Sequence, residues 1–395
     1  MIIIFIWSIL CLVVLLPVAV YAVEIAVAPS GSTDIPASEY SIAPNFTVVV
    51  PAHNEALTIA TALRAIQHDL REGDRLVVVA DNCTDETAAI SASAGAEVLI
   101  RHDLMKKGKG YALQFGLDSL QSRAPDVVIF IDADCVPEQF ALQKLAYAAS
   151  NLMRPIQAQY LFEQPLLQSR SQRVSAFALR IKNDVRLSGD ASLGIPSIIT
   201  GSGIALPWAL ASRIDLGNSN IVEDMALGID LVSQGINPVY LRSAMVRTLL
   251  PTDLSSQKTQ RTRWEHGHIT IIPYAIAKLI PVAIQSRSWP PLGYAFAIMV
   301  PPISLLAMIC TSFFLISVCA FYFGFLGIVS VILAGIVFGV LVLAVLIAWW
   351  KTGRDLITGG DLFRIPLYII AKLPVYLLLV FGKRIGWVRT RRTGE

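Results

Sequence analysis

Two carboxylates stand two positions apart in Ile131-Asp132-Ala133-Asp134, directly after the apolar run Val127-Val128-Ile129-Phe130. The C-terminal ends of strands are where open α/β sheets bind ligands. A pair of acids there suits a hard divalent cation whose remaining positions are filled by phosphate oxygens. By itself the pair also fits a solvated turn, but the same pattern recurs. Val48-Val49-Val50 runs into Pro51-Ala52-His53-Asn54-Glu55, and Val77-Val78-Val79-Ala80 into Asp81-Asn82-Cys83-Thr84-Asp85. Helix capping by Thr84 or Asp85 is the competing reading of the second loop. Three strands that each end in a polar loop place acids and amides on one rim.

Four further clusters carry chemistry. Lys106-Lys107-Gly108-Lys109-Gly110 is a basic turn before a helix, able to meet a phosphate or a base through lysines and free N–H groups. It lacks the GxxxxGK[ST] spacing of a P-loop, and a solvated basic loop is its alternative. Thr200-Gly201-Ser202-Gly203 lets a substrate approach the backbone closely, or simply turns. Ile221-Val222-Glu223-Asp224 opens an apparent helix that runs to Gly235. Acids in a first turn complement the helix dipole, but one that faces a site can take a proton from a hydroxyl. In Gln260-Arg261-Thr262-Arg263-Trp264, helical spacing puts Gln260, Arg263 and Trp264 on one face. There Arg263 could grip a diphosphate and Trp264 could stack on a sugar ring. The alternative is a membrane-interface Trp with basic anchors.

The elements that must hold these residues follow from the hydropathy pattern. Apolar strand-like runs at 46–50, 75–80, 97–100 and 127–131 alternate with helix-compatible stretches at 56–70, 84–94 and 110–120. This alternation predicts an α/β domain with a mostly parallel sheet covered on both faces. The 395 residues are 54% hydrophobic and 15% charged, against about 25% charged in soluble domains, so much of the chain belongs in lipid. A net charge of +3 gives no reason to expect nucleic acid as a partner. The five cysteines form no CxxC pair and no zinc spacing, and free thiols suit a cytoplasmic catalytic part.

Residues 1–23 are apolar and uncharged, long enough for one membrane crossing. Ala26-Val27-Ala28 resembles a cleavage site, but the basic n-region of a signal peptide is missing, so an uncleaved anchor is expected. Residues 24–44 read as a linker, 45–270 as the catalytic domain and 271–288 as an interfacial segment. Residues 288–350 contain no Asp, Glu, Lys or Arg, which suits two membrane helices over 289–350 joined near Phe323-Gly324-Phe325. Residues 351–395 hold nine Lys and Arg against three Asp and Glu, and such basic tails stay cytoplasmic. Within that tail, 365–382 is expected as an interfacial or re-entrant segment.

The ordered series PAHNE, DNCTD, KGKG, DAD, TGSG, ED and QxxRW resembles the family 2 inverting glycosyltransferases. Within them it is similar to the membrane branch of cellulose, chitin and hyaluronan synthases and ceramide glucosyltransferase. The resemblance spans about residues 45–270. It implies a GT-A fold, a Rossmann-like nucleotide-diphospho-sugar transferase domain flanked by transmembrane helices. It also implies Mg2+ or Mn2+ as cofactor and a nucleotide-sugar donor, with a UDP-sugar favoured. By the same resemblance, Asp81 holds the nucleobase beside Pro51, His53 and Glu55, and Lys107 touches the nucleotide. Asp132 and Asp134 bind donor and metal, Asp134 more directly. Asp224 is the general base, supported by Glu223. Gln260, Arg263 and Trp264 hold diphosphate and acceptor, and Gly201, Ser202 and Gly203 lie near the acceptor. The expected partners are a membrane-associated saccharide or lipid-linked acceptor, the lipid bilayer and candidate polysaccharide-assembly proteins. The expected setting is bacterial surface-polysaccharide synthesis at the cytoplasmic (inner) membrane, with the catalytic domain in the cytoplasm. A transferase acting on ceramide or diacylglycerol is the alternative enzyme. A nucleotide-binding or transport component is the alternative outside enzymes.

Overall fold

In the computed structural model, which describes residues 2–31, 34–163, 169–217, 222–249 and 254–380, eight strands form one sheet. They are β1 Phe46–Ala52, β2 Arg75–Asp81, β3 Glu97–Arg101, β4 Val127–Phe130, β5 Cys135–Pro137, β6 Ile156–Glu163, β7 Ile204–Pro207 and β8 Val239–Leu249. Their order across the sheet is β3-β2-β1-β4-β7-β6-β8-β5. The half from β3 to β4 is parallel, with Val48 of β1 opposite Leu76 on one side and Ile129 on the other. β7 then runs antiparallel to β4 and β6, β6 and β8 are parallel, and β5 closes the edge antiparallel to β8.

Alternation along the strands builds two cores, since successive side chains point to opposite faces. Val48, Val50, Val78 and Ile129 pack under Ile59, Leu63, Ile66, Leu142 and Leu145. Val49, Val77, Val79, Val128 and Phe130 pack under Leu113 and Leu117 on the other face. Both faces of the parallel half are therefore buried by the helices Ile59–Asp69, Ala141–Leu152 and Lys109–Ser119. This places the free strand ends, and the loops after β1, β2 and β4, on a single rim.

Four helices are long and apolar enough to cross a membrane, covering Phe5–Val27, Thr262–Ser286, Ile303–Tyr322 and Ile328–Gly353. The first belongs to the helix Ile2–Val27, which runs past residue 23 into the stretch read as linker. Ile303–Tyr322 and Ile328–Ala348 are joined through Phe323-Gly324-Phe325, where Gly324 takes the left-handed φ of 77° that glycine permits. Residues 271–286, read as an interfacial segment, are the second half of a continuous helix, Leu254–Ser286. Its Ile271, Ala275, Leu279 and Ala283 recur every fourth position, and the first three pack with Met225, Ala226, Ile229 and Val232 of the helix Glu223–Ser233. Lys278 forms an ion pair with Asp230 across the same contact. Below it, the segment from residue 365 splits into Ile365–Ala371 and Leu373–Val380 at Lys372. The basic residues of 381–395 and the Ile221 that opens the acidic motif lie outside the described residues.

The helix Ile2–Val27 is fixed to the rest by polar contacts at its C-terminal end. Lys351 Nζ donates to the carbonyls of Ile25, Ala26 and Ala28 at 2.9, 2.9 and 2.7 Å, a cation placed on the orphan carbonyls of a helix end. Buried Glu24 is held by Arg186, whose Nη2 donates to it at 3.0 Å and to Ala297 O at 2.8 Å.

Candidate active site

The loops after β1 and β2 are tied to each other before they meet any ligand. His53 Nδ1 lies 2.7 Å from Asp81 O. Thr84 N–H donates to Asn54 Oδ1 at 2.7 Å, and Glu55 N–H to Thr87 Oγ1 at 2.8 Å. Asn54 and Asn82 both sit at left-handed φ, 54° and 51°, a region asparagine tolerates better than most residues. Asp81 is buried and accepts from Arg101 Nη1 at 2.6 Å and Asn82 Nδ2 at 3.0 Å. Asp85 caps locally, accepting from Thr87 N–H at 3.0 Å.

Next along the rim, Asp132 follows β4, and its N–H donates to Ser202 Oγ at 3.1 Å. Lys109, first residue of its helix after Gly108 at φ 131°, bridges Asp132 Oδ1 at 2.5 Å and Gly201 O at 2.6 Å. Glu223 and Asp224 open the helix Glu223–Ser233, and Asp224 Oδ1 accepts from Met225 N–H at 2.8 Å. A Cβ on Gly201 would lie 3.2 Å from Asp224 Oδ2, so this loop rests against that carboxylate. Gln260, Arg263 and Trp264 face the same space from the helix Leu254–Ser286, with the Trp264 ring 5.4 Å from that of Phe162. Among the described residues Arg263 has no ion pair, and Gln260 Oε1 is buried without a hydrogen bond.

The result is one cleft of about 620 Å³ that collects Pro51, His53, Glu55, Asp81, Lys107, Asp132, Asp134, Gly201, Glu223, Asp224, Gln260, Arg263 and Trp264. Lys107 reaches it only as an exposed side chain on the rim. Ser202 and Gly203 do not line it. Ser202 is fully buried, holding Asp132 from behind, and Gly203 packs against Ala158 and Val246.

Four residues that the motif series did not single out prove central. Lys109 was one of three lysines in a single turn, and nothing in their spacing says which points inward. Arg101 neutralises Asp81. Gln157, in β6, holds the Thr200–Gly203 loop by accepting from Thr200 N–H at 2.9 Å and donating to Ser202 O at 2.9 Å. Lys182 lines the cleft from Ile181–Val185, one π-helical turn between two α-helical stretches, a distortion often found at functional sites.

Burial and like charge shape the electrostatics. Burial, and next the Asp224 charge, push the Glu223 carboxyl up to about 7. Burial also raises Asp132 above the usual carboxylate range despite its lysine partner. It works against the Lys109 ammonium, but Asp132, Glu223 and Asp224 outweigh it and raise that group above the usual lysine range. Lys182 is lowered by burial.

The donor set fits a hard divalent cation. Asp132, Asp134 and Cys135 offer ligand atoms within 4.8 Å of one another. Burial raises the Cys135 thiol well above its ordinary pKa, and a soft sulfur suits a hard cation less than oxygen does, which leaves two carboxylates. Two protein carboxylates completed by phosphate and water oxygens are a common arrangement for Mg2+.

Residues 44–267, more than half of the chain, match the family described as glycosyltransferase like family 2. Glucomannan 4-beta-mannosyltransferase 9 of Arabidopsis thaliana is 26% identical over 242 residues, 57% of this chain and 44% of its own length. The low-salt glycan biosynthesis hexosyltransferase Agl6 of Haloferax volcanii is 34% identical over 120 residues, 29% of this chain and 27% of its own. The chain thus spans under half the length of these curated relatives. A mannosyltransferase from Pyrobaculum calidifontis, solved with GDP-Man and Mn2+, superimposes with a TM-score of 0.57 at 16% identity, over 96% of this chain and 100% of that one. The architecture they share is the GT-A fold.

Proposed function

Since the chain belongs to the family 2 glycosyltransferases, we propose that it moves a sugar from a nucleoside diphosphate sugar to a hydroxyl of a membrane-associated saccharide, with inversion at the anomeric carbon. The observation that carries this reading is the convergence of Asp132, Lys109, Gly201 and Asp224 at one point of the cleft. Donor-side acids and a candidate base are held there around a single ammonium.

The roles follow from position. Asp81, oriented by Arg101 and Asn82, takes the base edge, with Pro51, His53 and Glu55 as the neighbouring wall. Asp132 and Asp134 hold Mg2+ or Mn2+, which when bound offsets the charge of the diphosphate. Arg263, which has no ion pair among the described residues, grips the same diphosphate in forked geometry and stabilises it as it leaves. Asp224 accepts the acceptor proton, beside a Glu223 whose carboxyl burial pushes up to about 7. Gly201 and Trp264 bound the acceptor side. An α-linked donor then gives a β-glycoside.

The placement proposed is an inner-membrane protein with a cytoplasmic catalytic domain, acting in bacterial surface or exopolysaccharide synthesis. The anchor and the two helices Ile303–Tyr322 and Ile328–Ala348 cross the bilayer, while Leu254–Ser286 lies along its surface. Supporting this, the last of these packs on the catalytic helix Glu223–Ser233 over three of its turns. The decisive experiment is donor consumption by the purified full-length chain across UDP- and GDP-sugars, GDP-mannose included, with Mn2+ or Mg2+. Asp224→Asn is run in parallel and is expected to lower transfer by about 10²–10⁴-fold. No donor consumed under any condition overturns the reading, and normal transfer by Asp224→Asn overturns the base assignment.

A further inference from the structure

A second cavity of about 150 Å³ adjoins the cleft, and Leu179, Lys182 and Trp264 line both. Its walls come from the helical stretch 170–192, Tyr21 of the anchor, Trp264, Glu265 and His268 of the helix Leu254–Ser286, the start of the helix Ile303–Tyr322, Val345 of the helix Ile328–Ala348, and the short helix Ile365–Ala371 with Lys372 after it. Most of the lining is apolar, with Val174, Phe177, Ile181, Ile303, Ala307 and Val345 among its side chains. An apolar cavity of about this volume holds a ligand the size of benzene, roughly six carbons.

Its charged lining is one-sided, with Lys182, Arg186 and Lys372 against Glu265 alone. Arg186 is already paired with Glu24, and Lys372 with Glu265. Lys182 is half-buried and, among the described residues, has neither hydrogen bond nor ion pair. A cation withdrawn from water without a counter-ion is costly. Here it stands where the apolar cavity meets the cleft that holds Asp224.

Resting on the transferase reading above, we propose that the acceptor is carried on a lipid phosphate. The first carbons of the lipid chain fill this cavity, and the phosphate pairs with Lys182. A neutral lipid would fill the apolar part and leave Lys182 unpaired, whereas a soluble saccharide would leave the cavity unused. The phosphate end faces the cleft, and the rest of the chain leaves between the membrane helices.

Binding of three probes to the full-length protein in detergent tests this without turnover: farnesyl monophosphate, farnesol and inorganic phosphate. The charge-assisted contact predicts that farnesyl monophosphate binds about tenfold or more tightly than farnesol and more tightly than inorganic phosphate. Lys182→Gln should bring the first ratio close to one, and Lys182→Arg should keep it. Ala307→Trp should weaken farnesyl monophosphate and farnesol alike by filling the cavity. Equal binding of the two isoprenoids by the unmodified protein overturns the proposal, as does a preference that survives in folded Lys182→Gln. Inorganic phosphate binding as tightly as farnesyl monophosphate removes the cavity from it. Failure of the transferase reading shows instead as absence of donor consumption, which these measurements do not involve.

Discussion

Lys109 Nζ lies 2.5 Å from Asp132 Oδ1 and 2.6 Å from the carbonyl of Gly201, so one ammonium ties the donor-side acid to the loop that rests on Asp224. That position makes it a competitor for the charge a divalent ion would meet at Asp132, and a brace for the loop. Removing it should separate the two effects. In Lys109→Gln the half-activating Mn2+ concentration is expected to fall, because Asp132 loses its internal counter-ion. The turnover number should drop by about 10²–10³-fold as preorganised charge is lost. Titrating Mn2+ against transfer rate at saturating donor checks both. Weaker Mn2+ activation in the variant would show that Lys109 does not compete at Asp132.

Gly203 and Gly235 form a controlled pair for packing. Both have left-handed φ, 72° and 80°, but a Cβ on Gly203 would lie 2.5 Å from Ala158 Cβ and 3.0 Å from Val246 Cγ2, whereas one on Gly235 meets nothing within 4 Å. Gly235→Ala should therefore cost only the backbone strain of about 1–2 kcal/mol. Gly203→Ala should add an overpacking cost of roughly 1–3 kcal/mol. Thermal unfolding of the two variants in detergent measures the difference, and equal losses would place Gly203 outside the packed core.

The strand-end loops were legible because chemistry and local structure coincide there: apolar β-prone runs stop at Asp81 and next to Asp132, with Asn54 and Asn82 at the turns. What was not legible depends on long-range pairing. Lys106, Lys107 and Lys109 are equivalent as letters, and only the helix beginning at Lys109 turns that side chain inward. Gln157 meets Thr200 and Ser202 only through the fold, and Lys182 reaches the cleft only through the packing of its helix. The strands β5 to β8 went unread because mixed polarity such as Cys135-Val136-Pro137 shows no period, and three of the sheet's pairings are antiparallel. Residues 271–288, read as an interfacial segment, carry Lys278, Arg287 and two prolines. In the fold Lys278 instead finds Asp230, and the helix continues.

Glu223 gives a pH dependence with a definite sign. Its folded pKa is raised to about 7 from an ordinary 4.5, so the folded state binds the proton more tightly. The resulting stability is fully present below 4.5 and is lost as pH rises through about 7. In protein free of metal and donor, the melting temperature of the unmodified chain should fall relative to that of Glu223→Gln across this window. Above it, the gap between the two should be constant. Melting curves of both proteins over that range test this, and parallel pH profiles would mean that Glu223 is already ionised at low pH.

The contact between anchor and catalytic domain rests on Glu24 and Arg186, buried in the same ion pair, with buried Asp190 in electrostatic reach of both. Breaking a buried pair from one side costs about 3–5 kcal/mol, but the two sides are not equivalent here. Glu24→Gln leaves Arg186 with Asp190 as its remaining counter-charge. Arg186→Met leaves two acids buried together without a cation, so it should be the more damaging change. Replacing both, as Glu24→Gln with Arg186→Met, should recover part of the loss, because only Asp190 remains to be neutralised. Unfolding free energies of the three variants in detergent form the double-mutant cycle. A larger cost for Glu24→Gln than for Arg186→Met would show that Asp190 does not share this cation.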